Sequence, residues 1–289
     1  MHKPPSLIFL LSLLIPTATL TAQVVNPADK QRPPEDRQGE PVVVEGRRTR
    51  VSDLREEDRV GSYQQPEWTT RRLFTETRLY VRPEGSCEFE FWVQPEIDSN
   101  GKTETKTQVE FEFGLPNRFQ LDLYLVAHQD GNQGTMQFDE QKVEVRWALA
   151  DWDKIWGNPT LYLEWAAKSE APDGIEAKLL FGGEISEGWH WGSNLVFETE
   201  TGGARENVYE ITGGVSHTMI DEKWSLGAEV KGALADVAAD RGNYTEELLL
   251  GPTMQYRLRP NCHFDFSALA GLTDDSPDAK FTLLFGWEF

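Results

Sequence analysis

The sequence predicts an all-β protein: a transmembrane antiparallel up-and-down β-barrel of about twelve strands, preceded by an irregular N-terminal segment. Three observations predict it. From Cys87 onward apolar and polar residues alternate with period two in segments of about ten residues, punctuated by Gly, Asp, Asn and Pro clusters. Tight turns alternate with longer polar loops between the segments. Tryptophans gather at one end of the segments, as in an interfacial girdle.

The chain begins with Lys3, an apolar stretch from Leu7 to Ile15, Pro16 and small residues up to Ala22, the pattern of a secretory signal cleaved after Ala22. That stretch is too short for a helix to cross a hydrocarbon layer of about 30 Å. Residues 23–86 follow as an expected periplasmic linker, mostly irregular, rich in proline and mixed charge. Within it Pro41-Val-Val-Val-Glu-Gly46 is a short strand-like run and Gln65-Pro-Glu-Trp68 precedes a strand-like Thr77 to Val81, but neither piece can build a core alone. Residues 87–289 form the expected barrel.

Twelve segments carry the alternation: 87–97, 104–114, 118–128, 136–150, 158–168, 175–185, 188–200, 204–218, 222–234, 243–258, 261–272 and 279–289. The last is the clearest. Phe281, Leu283, Phe285, Trp287 and Phe289 share one face, and Thr282, Leu284, Gly286 and Glu288 the other. A soluble β-sandwich would alternate as well, but its strands average only about five or six residues. Ten tilted residues match a bilayer. Leu115-Pro-Asn117, Ser186-Glu187 and Arg259-Pro260 are the tight turns, Asp98 to Thr103 and Thr273 to Asp278 the longer loops, and Asp151 to Gly157 an exception. Trp147, Trp152, Trp156, Trp189, Trp191, Trp224 and Trp287 all fall near the tight-turn ends. The paired glycines Gly182-Gly183 and Gly213-Gly214 suit strand curvature.

Charge is unevenly shared. The net of −20 comes from 28 basic and 48 acidic residues. Lys3 is the one charge of 1–22, and 23–86 holds 12 basic and 12 acidic residues, so 87–289 keeps 15 basic against 36 acidic, a net of −21. Such a surface excludes nucleic acid as a partner. A mid-membrane Lys or Arg on the lipid face costs roughly 2 to 4 kcal/mol, so the charges must point inward. By alternation the expected pore-lining residues are Glu110, Glu112, Lys142, Glu144, Arg146 and Glu164, with Lys178, Glu198, Glu210, Glu229, Lys231 and Arg257. Inward acids outnumber inward bases fourteen to six, so not all can pair within the strands. Water and counter-cations are expected to enter, giving a narrow passage with the cation preference of a ring of carboxylates.

No enzyme is expected. His190 and His263 take inward positions, and no Ser lies in an evident partnering position on a neighbouring strand. No catalytic residue, metal site or cofactor emerges. Cys87 and Cys262 allow one candidate disulfide, although twelve-stranded closure places the last strand between theirs.

Over 87–289 the chain resembles the outer-membrane β-barrel superfamily of Gram-negative-type bacteria, through the signal, the alternating strands and the terminal Phe281-Thr-Leu-Leu-Phe-Gly-Trp-Glu-Phe289. That resemblance implies residence in the outer membrane, contact with its lipid, and recognition of the final strand by the barrel assembly machinery. Val109-Glu-Phe-Glu-Phe-Gly-Leu-Pro-Asn-Arg-Phe-Gln-Leu-Asp-Leu123 resembles a unit of small outer-membrane transporters, including those of phenol-degradation pathways. It implies transport, without naming the solute. Pro41 to Gly46 is similar to the segment by which TonB-dependent receptors contact their energising partner, but their barrels of about 22 strands are far larger, so a plain linker strand is expected. The expected function is a narrow passive, cation-preferring channel or small-solute transporter; the alternatives are a surface, structural or adhesive barrel and a lipid-modifying enzyme.

Overall fold

The computed structural model describes residues 55–131, 134–220 and 222–289. The expected signal, the first part of the expected linker and the Pro41 to Gly46 run lie outside them. Arg59–Val60 (β1) and Gln65–Pro66 (β2) form a small antiparallel ribbon, followed by a 3-10 turn at Glu67–Thr70. The wall begins with Cys87–Ile97 (β3), Thr103–Leu115 (β4), Phe119–Asp130 (β5), Gln137–Ala148 (β6), Thr160–Lys168 (β7) and Gly174–Ser186 (β8). It continues with Trp189–Glu200 (β9), Asn207–Met219 (β10), Trp224–Asp236 (β11), Thr245–Arg259 (β12), Cys262–Gly271 (β13) and Ala279–Glu288 (β14). Every strand pairs antiparallel with its sequence neighbour, and β14 pairs with β3 to close a twelve-stranded barrel. Strand limits fall within a few residues of those the alternation predicts.

Closure leaves no free edge, and the pleat sends successive side chains to opposite faces. Leu125, Val143, Leu163, Leu195, Ile211 and Leu283 are exposed on the outer face. Asp122, Glu144, Ser267 and Thr282 are buried on the inner one. No helix among the described residues is long and apolar enough to cross a membrane. The turns after β4, β8, β10 and β12 share one mouth with the longer connection after β6. The opposite mouth carries the loops. Trp147, Trp156 and Trp189 are exposed at the tight-turn mouth, and Trp191, Trp224 and Trp287 half-buried. Trp152 departs from this belt. It is buried in an apolar core, edge-on to Trp68 at 5.3 Å and to Tyr80 at 5.1 Å.

Apart from Ala148 and Trp152, that core is built by residues 55–86. Read from sequence as linker, this stretch lies inside the barrel. It enters at the tight-turn mouth, where Glu56 N–H donates to Glu222 (2.9 Å), and its Gly85 N–H donates to Gly114 O (2.9 Å) on leaving by the same mouth. Its apex reaches far enough for Lys280 Nζ to donate to Glu76 at 3.0 Å. Thr77 to Val81, strand-like in sequence, forms no strand and pairs with none. Buried backbone groups must nevertheless find partners, and lumenal side chains supply them. Glu229 accepts from the N–H groups of Thr75 (3.0 Å), Glu76 (2.9 Å) and Thr77 (2.6 Å). The Asn194 amide accepts from Arg78 N–H (2.7 Å) and donates to Arg78 O (2.8 Å). Gln120 accepts from Arg82 N–H (2.7 Å), and Gln255 donates to Arg72 O (2.8 Å). Close approach requires small residues on the wall. A Cβ on Gly214 would meet Phe74 at 2.5 Å, and one on Gly192 would meet Leu79 at 2.6 Å. Gly214 therefore makes room for the segment, beyond any effect on curvature.

Candidate functional site

The lumen has two levels. At the lower one, arginines of the internal segment meet carboxylates of β3 and β4, which the antiparallel register sets directly opposite one another: Glu88 faces Glu112, and Glu90 faces Glu110. Like charges so placed repel, and an unpaired buried carboxylate is costly. Arg72 Nε donates to Glu90 Oε1 (2.8 Å), while its Nη2 donates to Glu90 Oε2 (2.7 Å) and Glu112 Oε1 (2.7 Å). Arg78 Nη2 donates to Glu110 (3.1 Å), and Arg82 Nη1 to Glu88 and to Glu112 (3.3 Å). The Arg72 and Arg78 guanidiniums also lie 4.6 and 5.5 Å from the Trp92 ring centroid. Nearer the mouth, Glu67 binds Arg71 of the segment (2.7 Å) and Arg257 of β12 (2.5 Å), tying the two together. Between segment and wall a cavity of about 40 Å³ remains.

The upper level is open. A cavity of about 430 Å³ lies toward the loop mouth, floored by Thr75, Glu76 and Arg78. Lysines and carboxylates interleave on its wall: Lys142 donates to Glu164 (2.8 Å), Lys178 pairs with Glu176 (2.9 Å), and Lys231 with Glu210 (3.3 Å).

The twelve residues expected to line a pore thus separate by level. Lys142, Glu164, Lys178, Glu198, Glu210 and Lys231 surround the vestibule. Glu110, Glu112, Glu144, Arg146, Glu229 and Arg257 lie at the level of the internal segment, where Arg146 contacts Asp122 (3.0 Å) and Glu144. The expected excess of lumenal acid over base holds for the strands. The segment corrects its consequence at the lower level, because its guanidiniums, rather than water and free cations, meet those carboxylates. Sequence reading missed these partners, although residues 71–82 carry four arginines and one acid.

Carboxylate groups that could ligate a metal, Glu90 with Glu110 and Glu112, and Glu110 with Asp122 and Glu144, converge within 4.8 Å. Arg72, Arg78 and Arg146 already stand against them. The register also places Ser216 directly opposite His190, a pairing the sequence reading did not find. Glu56 Oε1 lies 2.5 Å from His190 Nε2 on the other side. Yet Ser216 and His190 are buried, the imidazole 4.2 Å from Trp68, and neither lines the vestibule. Nucleophile chemistry needs an approach for substrate. The candidate disulfide is not formed: Cys87 and Cys262 are free, with β14 lying between β3 and β13.

Architecture and lumen define a class: a closed twelve-stranded antiparallel β-barrel with an apolar outer face and a porin-like fold, filled at one end by its own chain. A family model described as "putative MetA-pathway of phenol degradation" matches residues 173–289, and no curated protein matches. Among solved structures, an outer membrane channel from Pseudomonas putida F1 is 10% identical, with a TM-score of 0.50 over 73% of this chain and 97% of that one. The NanC porin is 11% identical, with a TM-score of 0.48 over 70% and 98%. The KdgM porin is 10% identical, with a TM-score of 0.47 over 71% and 99%. At these identities the likeness is one of fold.

Proposed function

We propose that the mature chain, freed of residues 1–22, is an outer-membrane channel for small solutes, cation-preferring, and held shut at rest by residues 55–86. The observation that carries this reading is the vestibule: a water-sized path leads in from the loop mouth and ends on Thr75, Glu76 and Arg78. Eight carboxylates line it against six Lys and Arg side chains, so the local field favours cations. The wall closes through its own strand pairing, and the segment is held mainly by side chains. Displacing the segment therefore leaves the barrel intact while exposing the lower carboxylates.

Single-channel recording in planar bilayers tests the proposal. The full mature protein is expected to open rarely, and the full-length R72Q/R78Q/R82Q variant to open often, with a reversal potential in a KCl gradient on the cation side. Silence in both proteins would leave a sealed structural barrel. Anion preference would overturn the charge argument. Heat-modifiable migration on gels checks that each variant has folded as a barrel.

A further inference from the structure

The register aligns inward carboxylates across most of the wall. Glu288 stands opposite Glu88, Glu88 opposite Glu112, and Glu112 opposite Asp122. The row continues from Asp122 to Glu144, Glu164, Glu176 and Glu198, each directly opposite the next on the neighbouring strand. Eight adjacent strands, β14 and then β3 to β9, each contribute one acid. Because barrel strands tilt by about 35 to 45°, a row perpendicular to them climbs the wall as a ramp. Glu288 ends β14 at the tight-turn mouth, whereas Glu198 is two residues from the loop-mouth end of β9. With strands about 4.8 Å apart, the ramp is ~34 Å long and links the two mouths.

Directly opposed like charges destabilise a sheet, so an unbroken row of them opposes folding unless cations cover it. Lysines answer the upper rungs, Lys142 at Glu164 (2.8 Å) and Lys178 at Glu176 (2.9 Å), and guanidiniums the lower ones. Arg72 and Arg82 of the internal segment sit on the lower rungs, and Arg146 of β6 sits between Asp122 and Glu144. The segment's fit is incomplete. Arg82 is only 5% exposed, yet its Nε has no hydrogen-bond partner, its Nη2 reaches Glu288 only as an ion pair at 3.4 Å, and Nη1 of Arg78 reaches Glu112 only at 3.7 Å. A tethered side chain brings the right charge here but cannot turn its whole donor fork onto the carboxylates, as a free guanidinium can. At the upper end Glu198 has no hydrogen bond or ion pair among the described residues and faces the vestibule.

We infer that this ramp is the solute path of the proposed channel, and that its solutes are small organic cations bearing guanidinium or amine groups, for which Arg72, Arg78 and Arg82 are tethered stand-ins. Such a cation lands on Glu198 and Glu176, moves rung by rung past Glu164, and competes with the segment's arginines for the lower carboxylates. The inference rests on the channel reading and adds to it a route and a substrate class.

Bi-ionic reversal potentials test it, with agmatine chloride on one side of a planar bilayer and KCl on the other, using the full mature protein. The wild type should be more permeable to agmatine than to potassium. In E176Q/E198Q that ratio should fall by about threefold or more, the scale of removing two partly screened charges. E247Q, which removes the same type of charge off the ramp, should leave the ratio where it was. A conducting wild type that does not favour agmatine, or an E247Q as impaired as E176Q/E198Q, overturns the ramp while the channel stands. Silence in both the wild type and R72Q/R78Q/R82Q overturns the channel, and the ramp with it.

Discussion

Arg72 and Glu90 form a two-point ion pair, Nε to Oε1 at 2.8 Å and Nη2 to Oε2 at 2.7 Å, with both side chains shielded from solvent. The arginine comes from the internal segment and the glutamate from β3, so this pair joins plug to wall. Its value lies less in the attraction than in what either partner would suffer alone. Removing one half of a buried pair costs about 3 to 5 kcal/mol, because the remaining charge is stranded away from water. Arg72→Ala should therefore lower the temperature at which the folded barrel is lost on heat-modifiable gels. Neutralising both partners in R72Q/E90Q should recover most of the loss. A double variant no better than R72A would mean that the pair is incidental.

Trp68 anchors the segment near the tight-turn mouth, fully buried between Trp152 and His190. Truncating a buried Trp costs about 3 to 5 kcal/mol. Here the cost falls on seating the plug. Trypsin should spare Arg71, Arg72 and Arg78 in the wild type, where all three side chains are buried or nearly so. In Trp68→Ala the same bonds should be cut while the barrel fragment survives, as mass spectrometry of the digest will show. Equal protection of both proteins would show that Trp68 does not hold the segment.

Gly214 provides a different way to loosen it. A Cβ there would sit 2.5 Å from two ring atoms of Phe74 and 3.2 Å from Ala228 O, so Phe74 must move. Gly214→Ala is expected to unseat Phe74 and raise open probability in bilayer recordings, without loss of barrel migration. Unchanged gating would show that the ring can move aside within the lumen.

The thiols report on the wall. Cys87 is half-buried and Cys262 is 3% exposed. Under native conditions iodoacetamide should add one label, at Cys87, and after denaturation without reductant it should add two. No label in the denatured, unreduced protein would reveal a disulfide.

Much of the wall was legible because its rule is local. Each strand faces lipid on one side and polar lumen on the other, so the alternation of Leu283, Phe285 and Trp287 with Thr282, Leu284 and Gly286 reveals strand and face without knowledge of the partners. The first segment, 87–97, coincides with β3, while 222–234 is displaced by two residues from β11. That displacement has a simple origin: alternation locates faces well but marks strand ends weakly. Residues 55–86 follow no such rule. Thr75 meets Glu229 and Ser267, 154 and 192 residues away, and nothing periodic in the segment announces either contact. Its only trace in the sequence is compositional, a run of buried aromatics and arginines placed ahead of an acidic barrel.

Sequence alone therefore settles the membrane-facing wall, its strand number and the acidity of its inner face, because lipid and pleat act on each residue where it stands. Tertiary structure decided which cations answer that acidity and which half of the lumen stays open. Those outcomes depend on a backbone that lacks strand partners, enters and leaves by one mouth, and finds its hydrogen bonds on side chains such as Glu229, Asn194 and Gln120 from distant strands. The same closure turns acids spaced irregularly along the chain into neighbours on a ramp, since register is a relation between strands and is invisible within any one of them.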